Sequence, residues 1–125
     1  MSTAAKDAYL RRYFREVERK YGITEDEWRA IFKAQGGADP ICGRRFSMKI
    51  GGAHGGRMPS VDHNHFTGEV RGLLCGGSHD PKTCNRMIGF HRDNPLVFQR
   101  AADYLIEPPA RAVLLAVRQG RIEAA

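Results

Sequence analysis

The sequence lacks any apolar run near the ~20 residues that cross a membrane, and its opening MSTAAKDAYLRR has no apolar core of a secretory signal. It has three cysteines, Cys42, Cys75 and Cys84. An odd count without a signal peptide argues against a disulfide framework. In a reducing cytoplasm, clustered thiols more often bind metal than pair. Internal repeats and low-complexity blocks are also missing. Between Pro40 and Val61 there is no carboxylate, while Arg44, Arg45, Lys49 and Arg57 stand there.

What is present is a small basic domain. Its 125 residues carry 20 Lys+Arg against 14 Asp+Glu, a formal charge of +6. That surplus points to a polyanionic partner, nucleic acid before membrane. A chain of this size buries a modest share of its surface, so a metal staple or a partner subunit would help it fold.

Apolar residues at Leu10, Tyr13, Phe14, Val17 and Tyr21 follow helical spacing over about Thr3–Lys20, and Gly22 ends that helix. Thr24 and Glu27 form a capping-box pattern, predicting a second helix through Trp28, Ile31 and Phe32 to Gln35, stopped by Gly36-Gly37. Residues 38–60 read as an irregular Gly-rich loop. Two short extended runs, Pro59–His65 and Glu69–Cys75, joined by Phe66-Thr67-Gly68, predict a hairpin. A polar loop follows to Thr83. A helix from Cys84 to about Arg92 is then expected, with Met87 and Ile88 inward. Asn94-Pro95 starts a helix expected to bury Leu96, Phe98, Tyr104 and Leu105 to varying extents. Pro108-Pro109 breaks it, and Ala110–Arg118 forms the last helix.

The chemistry concentrates at Asp62-His63-Asn64-His65. On a flat strand, alternation sends Asp62 and His63 to opposite faces, so either a bend near the hairpin or a metal lying between them at the strand edge is needed to aim both at one phosphate. With that geometry, Asp62 and the amide oxygen of Asn85 suit Mg²⁺ or Mn²⁺, which prefer oxygen ligands. An imidazole at His63 can take a proton from water at neutral pH. The combination supports phosphodiester hydrolysis. The alternatives are a satisfied histidine pair, zinc-ligating histidines, or an Asp62 that caps a turn.

A structural zinc wants four ligands, and the cysteines supply three. Asp39, three residues before Cys42, and His79, between Cys75 and Cys84, are equal candidates for the fourth, with His54 behind them. The cysteines could instead be small buried hydrophobes.

The ordered set Gly22-Ile23-Thr24, Gln35-Gly36-Gly37, Cys42-Gly43, Val61-Asp62-His63-Asn64-His65, Thr67-Gly68, Val70-Arg71-Gly72-Leu73-Leu74-Cys75 and Cys84-Asn85 resembles phage recombination endonuclease VII, a family of the ββα-metal or HNH-like nucleases. The resemblance runs from about Tyr21 to Leu105. It implies an α+β, mostly helical fold: a ββα-metal (His-Me finger) core with a zinc-stabilised hairpin and flanking N- and C-terminal helices. The corresponding division is residues 1–20, an N-terminal helix available for dimerisation, 21–93, the nuclease core, and 94–125, the C-terminal helices.

By the same resemblance, the activity is that of a Holliday-junction resolvase, a homodimer cutting branched DNA in the cytoplasm of a phage-infected bacterium and leaving a 5′-phosphate and a 3′-hydroxyl. Asp62 and Asn85 would bind the catalytic Mg²⁺, His63 would be general base and His65 a supporting residue. Cys42, Cys75 and Cys84 would hold zinc. Three departures stand out: Asp39 occupies the place of a first cysteine, eight residues rather than two separate Cys75 from Cys84, and Ile88 replaces an acidic residue found in some members.

Arg44, Arg45, Lys49, Arg57, Arg71 and Arg86 flank the proposed site and would contact DNA phosphates. Arg71 has the alternative of pairing with Asp62 or Glu69. The glycines around His54 would let that loop move over a substrate. The greasy face of the first helix has two readings, packing on the last helix or a dimer interface. Competing functions are a generic HNH-like nicking nuclease and a non-catalytic zinc-stabilised DNA-binding module.

Overall fold

The computed structural model describes residues 2–48, 58–76 and 83–122. It is α+β and mostly helical. The order is α1 (Thr3–Tyr21), α2 (Glu25–Ala34), β1 (Ser60–His63), β2 (Val70–Leu74), α3 (Cys84–Phe90), α4 (Pro95–Ile106) and α5 (Pro109–Arg118). The chain divides into two compact units, Met1–Gly89 and Phe90–Ala125.

Local chemistry sets the helix ends. Gly22 takes φ 74° and its N–H donates to the Glu18 carbonyl, closing α1 in a left-handed turn that a side chain would strain. At α2 the Thr24 hydroxyl accepts from Glu27 N (3.2 Å) and the Glu27 carboxylate accepts from Thr24 N (2.8 Å), a complete capping box.

The core of the first unit joins four elements. Phe14 and Val17 of α1, Trp28 of α2, Val61 of β1 and Leu73 of β2 are all buried together. Trp28 meets the edge of Phe14 at 5.2 Å and stacks on Phe32 at 5.5 Å. Each large apolar side chain fully buried contributes about 1.5–3 kcal/mol, so α1 is a structural wall of this unit.

Gln35, just past α2, acts as a strand partner. Its Nε2 donates to the Leu73 carbonyl (2.8 Å) and its Oε1 accepts from Leu73 N (2.8 Å), while Nε2 also reaches the Ala38 carbonyl (3.1 Å). The amide thereby satisfies both backbone groups of a fully buried residue. Gly72 permits the approach, because a Cβ there would lie 3.0 Å from Gln35 Oε1.

The second unit is built by its caps. Asn94 Oδ1 accepts from Leu96 N (3.0 Å), and prolines begin α4 and α5. Neither helix contains a buried residue. The expected burial of Leu96, Tyr104 and Leu105 is therefore corrected: they are 47%, 60% and 74% exposed. Met87, expected inward on α3, is likewise exposed. Helical spacing identifies an apolar face, but burial needs an opposing surface that the spacing does not specify.

Candidate active site and metal centre

The hairpin carries a bulge, one of the two arrangements that the sequence allows. Asp62 pairs with Gly72, but the next residue, His63, pairs with Val70, so Arg71 is the extra residue on β2. A bulge bends the strand and breaks strict alternation. Val61 and Asp62, successive on β1, are both buried. The displaced Arg71 returns its guanidinium to Asp62, with Nε to Oδ2 at 2.8 Å and Nη2 to Oδ1 at 2.9 Å. Of the alternatives for Arg71, the structure shows the pairing with Asp62. The bidentate geometry fixes the carboxylate's orientation and compensates its charge.

Asp62, His63, His65 and Asn85 line one cleft of about 300 Å³. Its other wall is α1, which contributes Tyr13, Glu16, Lys20 and Tyr21. The His63 ring lies between two others, Tyr21 at 5.2 Å and His65 at 4.6 Å. Asn85 is set by the start of α3, where its N–H donates to the Cys75 carbonyl at 3.2 Å. Tyr13 donates to the Pro59 carbonyl (3.3 Å), and burial pushes its hydroxyl up to about 12, so it is a neutral hydroxyl at physiological pH.

Sequence reasoning missed the α1 residues of this cleft. The signal was available: Glu16 and Lys20 sit at helical spacing beside Tyr13, Val17 and Tyr21, on the face that packs toward β1.

The second cluster is a potential metal centre. Ligand atoms of Asp39, Cys42, Cys75 and Cys84 all lie within 4.8 Å of one another. Cys42 Sγ and Cys75 Sγ are 3.9 Å apart. Two thiolates at ~2.3 Å from a tetrahedral zinc would stand about 3.8 Å apart. The donor set thus fits a structural metal such as zinc. Sulfurs also receive backbone donors, from Arg44 N to Cys42 (3.5 Å) and Cys84 N to Cys75 (3.2 Å).

Asp39 takes the part of a knuckle cysteine. Its Oδ1 accepts from Ile41 N (2.7 Å) and Cys42 N (3.0 Å), two and three residues on, and its Oδ2 accepts from Cys75 N (2.7 Å). Burial raises its pKa, but these backbone donors outweigh burial and hold the carboxyl down to about 2. The thiols of Cys75 and Cys84 are pushed up, first by burial. Between the two candidate fourth ligands, the structure brings Asp39 to the cysteines, while His79 lies outside the described residues, as does His54.

The sequence profile described as recombination endonuclease VII matches residues 14–107. The chain belongs to that family. Two curated relatives are similar to it, each called "Gene 59 protein": one of Mycobacterium phage D29, 47% identical over 96 residues, and one of Mycobacterium phage L5, 43% identical over 95. Each alignment covers 75% of this chain and 50% of the relative, so the chain spans about half the length of these curated relatives. No solved structure matches it.

For this endonuclease VII-family chain, the expected DNA contacts divide by place. Arg44 and Arg45 are exposed beside Cys42, and Arg86 is exposed on α3 next to Asn85. Lys49 and Arg57 lie outside the described residues. Of the four that are described, none lines the cleft; Lys20 does. No helix among the described residues is long and apolar enough to cross a membrane.

Proposed function

We infer that the chain is a metal-dependent endonuclease that hydrolyses phosphodiester bonds in branched DNA, a Holliday-junction resolvase whose ββα-metal core is β1, β2 and α3. The observation that carries this reading is the convergence of Asp62, His63 and Asn85 on one cleft in a chain of the endonuclease VII family.

Asp62 and Asn85 are the residues that would hold Mg²⁺ or Mn²⁺. Arg71 occupies one position on each Asp62 oxygen, and a carboxylate offers about four, so the donor set still fits a cation that retains several waters. When bound, such a cation stabilises the charge of the phosphate and of the leaving oxygen.

The chain's own residues do the rest. His63 takes the proton of the attacking water, its ring braced between Tyr21 and His65. Arg71 keeps the Asp62 carboxylate in one rotamer and compensates its charge before a cation arrives. Lys20 and the flanking Arg44, Arg45 and Arg86, with Lys49 and Arg57 between them in sequence, neutralise DNA phosphates. Cys42, Cys75, Cys84 and Asp39 would hold a structural zinc, which would tie the end of β2 to the start of α3 and so fix Asn85 relative to Asp62.

Cutting both opposed strands of a junction calls for two sites, and we assign the active form as a homodimer. The uncovered apolar residues of α4 and α5 support a partner surface in the second unit. The apolar face of α1 is spent on its own unit's core.

The test uses zinc-loaded protein, Mg²⁺, a synthetic four-way junction and a linear duplex of the same arms. Faster cutting of the junction is expected. Equal cutting of both would indicate a generic nicking nuclease, and binding without cutting a DNA-binding module.

A further inference from the structure

The tip of the β1–β2 hairpin presents a phenylalanine to solvent. Phe66 is 99% exposed, the most exposed of the large apolar side chains among the described residues. Turn positions ordinarily hold Gly, Asn, Asp, Pro or Ser, and an apolar ring gains nothing there from folding. Single exposed apolar residues are common on protein surfaces, so exposure alone decides nothing. Three further observations do.

The turn that carries Phe66 is rigidly bonded. Asn64 Oδ1 accepts from Phe66 N (2.8 Å) and Thr67 N (3.1 Å), and Thr67 Oγ1 accepts from Glu69 N (3.2 Å). Asn64 N donates to the Glu69 carbonyl and Gly68 N to the Asn64 carbonyl, both at 2.8 Å. A ring on such a turn loses little conformational entropy when it binds.

The tip also lacks cations. From Asn64 to Val70 there is no Lys or Arg, and Glu69 is acidic. Beyond His65, which faces the cleft, the tip offers no cationic side chain for phosphate contact, and its apolar ring suits the face of a base. Finally, Phe66 follows His63 by three residues, a reach of at most about 11 Å. At ~3.4 Å per nucleotide along a strand, that is about three nucleotides from a phosphate held at His63.

We propose that Phe66 stacks on an unpaired or unstacked base at the branch point of the DNA, about three nucleotides from the cleaved bond, and that this contact selects branched over linear substrates. The inference rests on the nuclease reading above for its substrate class. A continuous duplex has every base stacked, so the ring could enter only by unstacking a step; a branch supplies the opening already.

The experiment measures equilibrium binding with Mg²⁺ withheld, for wild type, Phe66→Ala and Phe66→Trp, to the four-way junction and the linear duplex. Removing a base-stacking aromatic typically weakens binding about 5- to 150-fold. The expected result is a loss in that range for Phe66→Ala on the junction and no change on the duplex. Phe66→Trp should keep the junction affinity, and its introduced indole should be quenched by the junction and not by the duplex. The single native tryptophan, Trp28, is buried and gives a constant background.

Junction binding by Phe66→Ala equal to wild type would overturn the proposal, as would equal losses on both DNAs. A changed elution volume for Phe66→Ala with unchanged DNA affinity would assign the ring to a protein contact instead. Wild-type protein that binds junctions but never cuts them with Mg²⁺ would end the nuclease reading while leaving the stacking result to stand.

Discussion

The two units of this chain answer the problem of small size in opposite ways. Met1–Gly89 gathers the buried hydrophobic core, from Phe14 to Cys84, and adds a Cys3Asp cluster. Phe90–Ala125 has one side-chain-capped helix, a second begun by proline, and no buried residue among those described, and it carries Phe90, Leu96, Tyr104, Leu105, Ile106, Val113, Leu114, Leu115 and Ile122 in the open. Capping and proline placement are enough to say where a helix begins. They do not say what it packs on, and isolated helices of this length are marginal in water.

Metal removal should separate the units most sharply. Structural zinc sites contribute roughly 10–16 kcal/mol of apparent binding free energy, so a chelator should unfold the first unit. A red shift of Trp28 emission reads that unit alone, because Trp28 is the only tryptophan. An unshifted spectrum in fully zinc-free protein would show that the core stands without the metal. Cys42→Ser should lower zinc content, measured by elemental analysis; full retention would sink the assignment.

Paired truncations sharpen the comparison. Leu73→Ala should cost about 2–5 kcal/mol in denaturant unfolding, since Leu73 is 0% exposed. Leu114→Ala, at a residue 46% exposed, should stay within about 0.5 kcal/mol in dilute protein. A large, concentration-dependent loss at Leu114 would instead locate a subunit interface.

Gln35→Ala should cost about 1–3 kcal/mol, because it leaves the Leu73 N–H and carbonyl without their side-chain partner. The smallest effect concerns Asp39, read in zinc-free protein held in its fold by a stabilising osmolyte. Its folded pKa is depressed to about 2, below the ordinary value near 3.9. The stability it contributes is thus present above about pH 4 and lost as pH falls toward 2. An Asp39→Asn variant should show a shallower acid transition in that window, and an identical one would remove the hydrogen-bonded carboxylate from the account.

Much of this was legible in the residues. Thr24 and Glu27 announced α2, Gly22 closed α1, and the Asp62-His63 pair called for a bend or a metal at the strand edge, of which the structure shows the bulge at Arg71. The cysteines could be grouped from the sequence, but Asp39 and His79 stayed equal candidates to join them until the structure brought Asp39 there. What escaped were contacts between residues far apart in sequence. Gln35 clamps Leu73 across 38 positions, and nothing local to a glutamine after a helix announces that. Glu16 and Lys20 share the face of α1 that meets β1, but their spacing does not say what that face lies against. Arg71 had two acidic candidates, and only the bulge geometry selects Asp62. The exposed faces of α4 and α5 looked like core because periodicity reports amphipathicity and leaves the partner unspecified.

The most direct test of the central claim is single-turnover cleavage of a four-way junction by zinc-loaded His63→Ala against wild type, with Mg²⁺ saturating and Trp28 emission verifying the fold of both. Positioned general bases are typically worth about 10²–10⁴-fold, so cutting should fall by at least ~100-fold with junction binding intact. Undiminished cutting by His63→Ala would contradict the account.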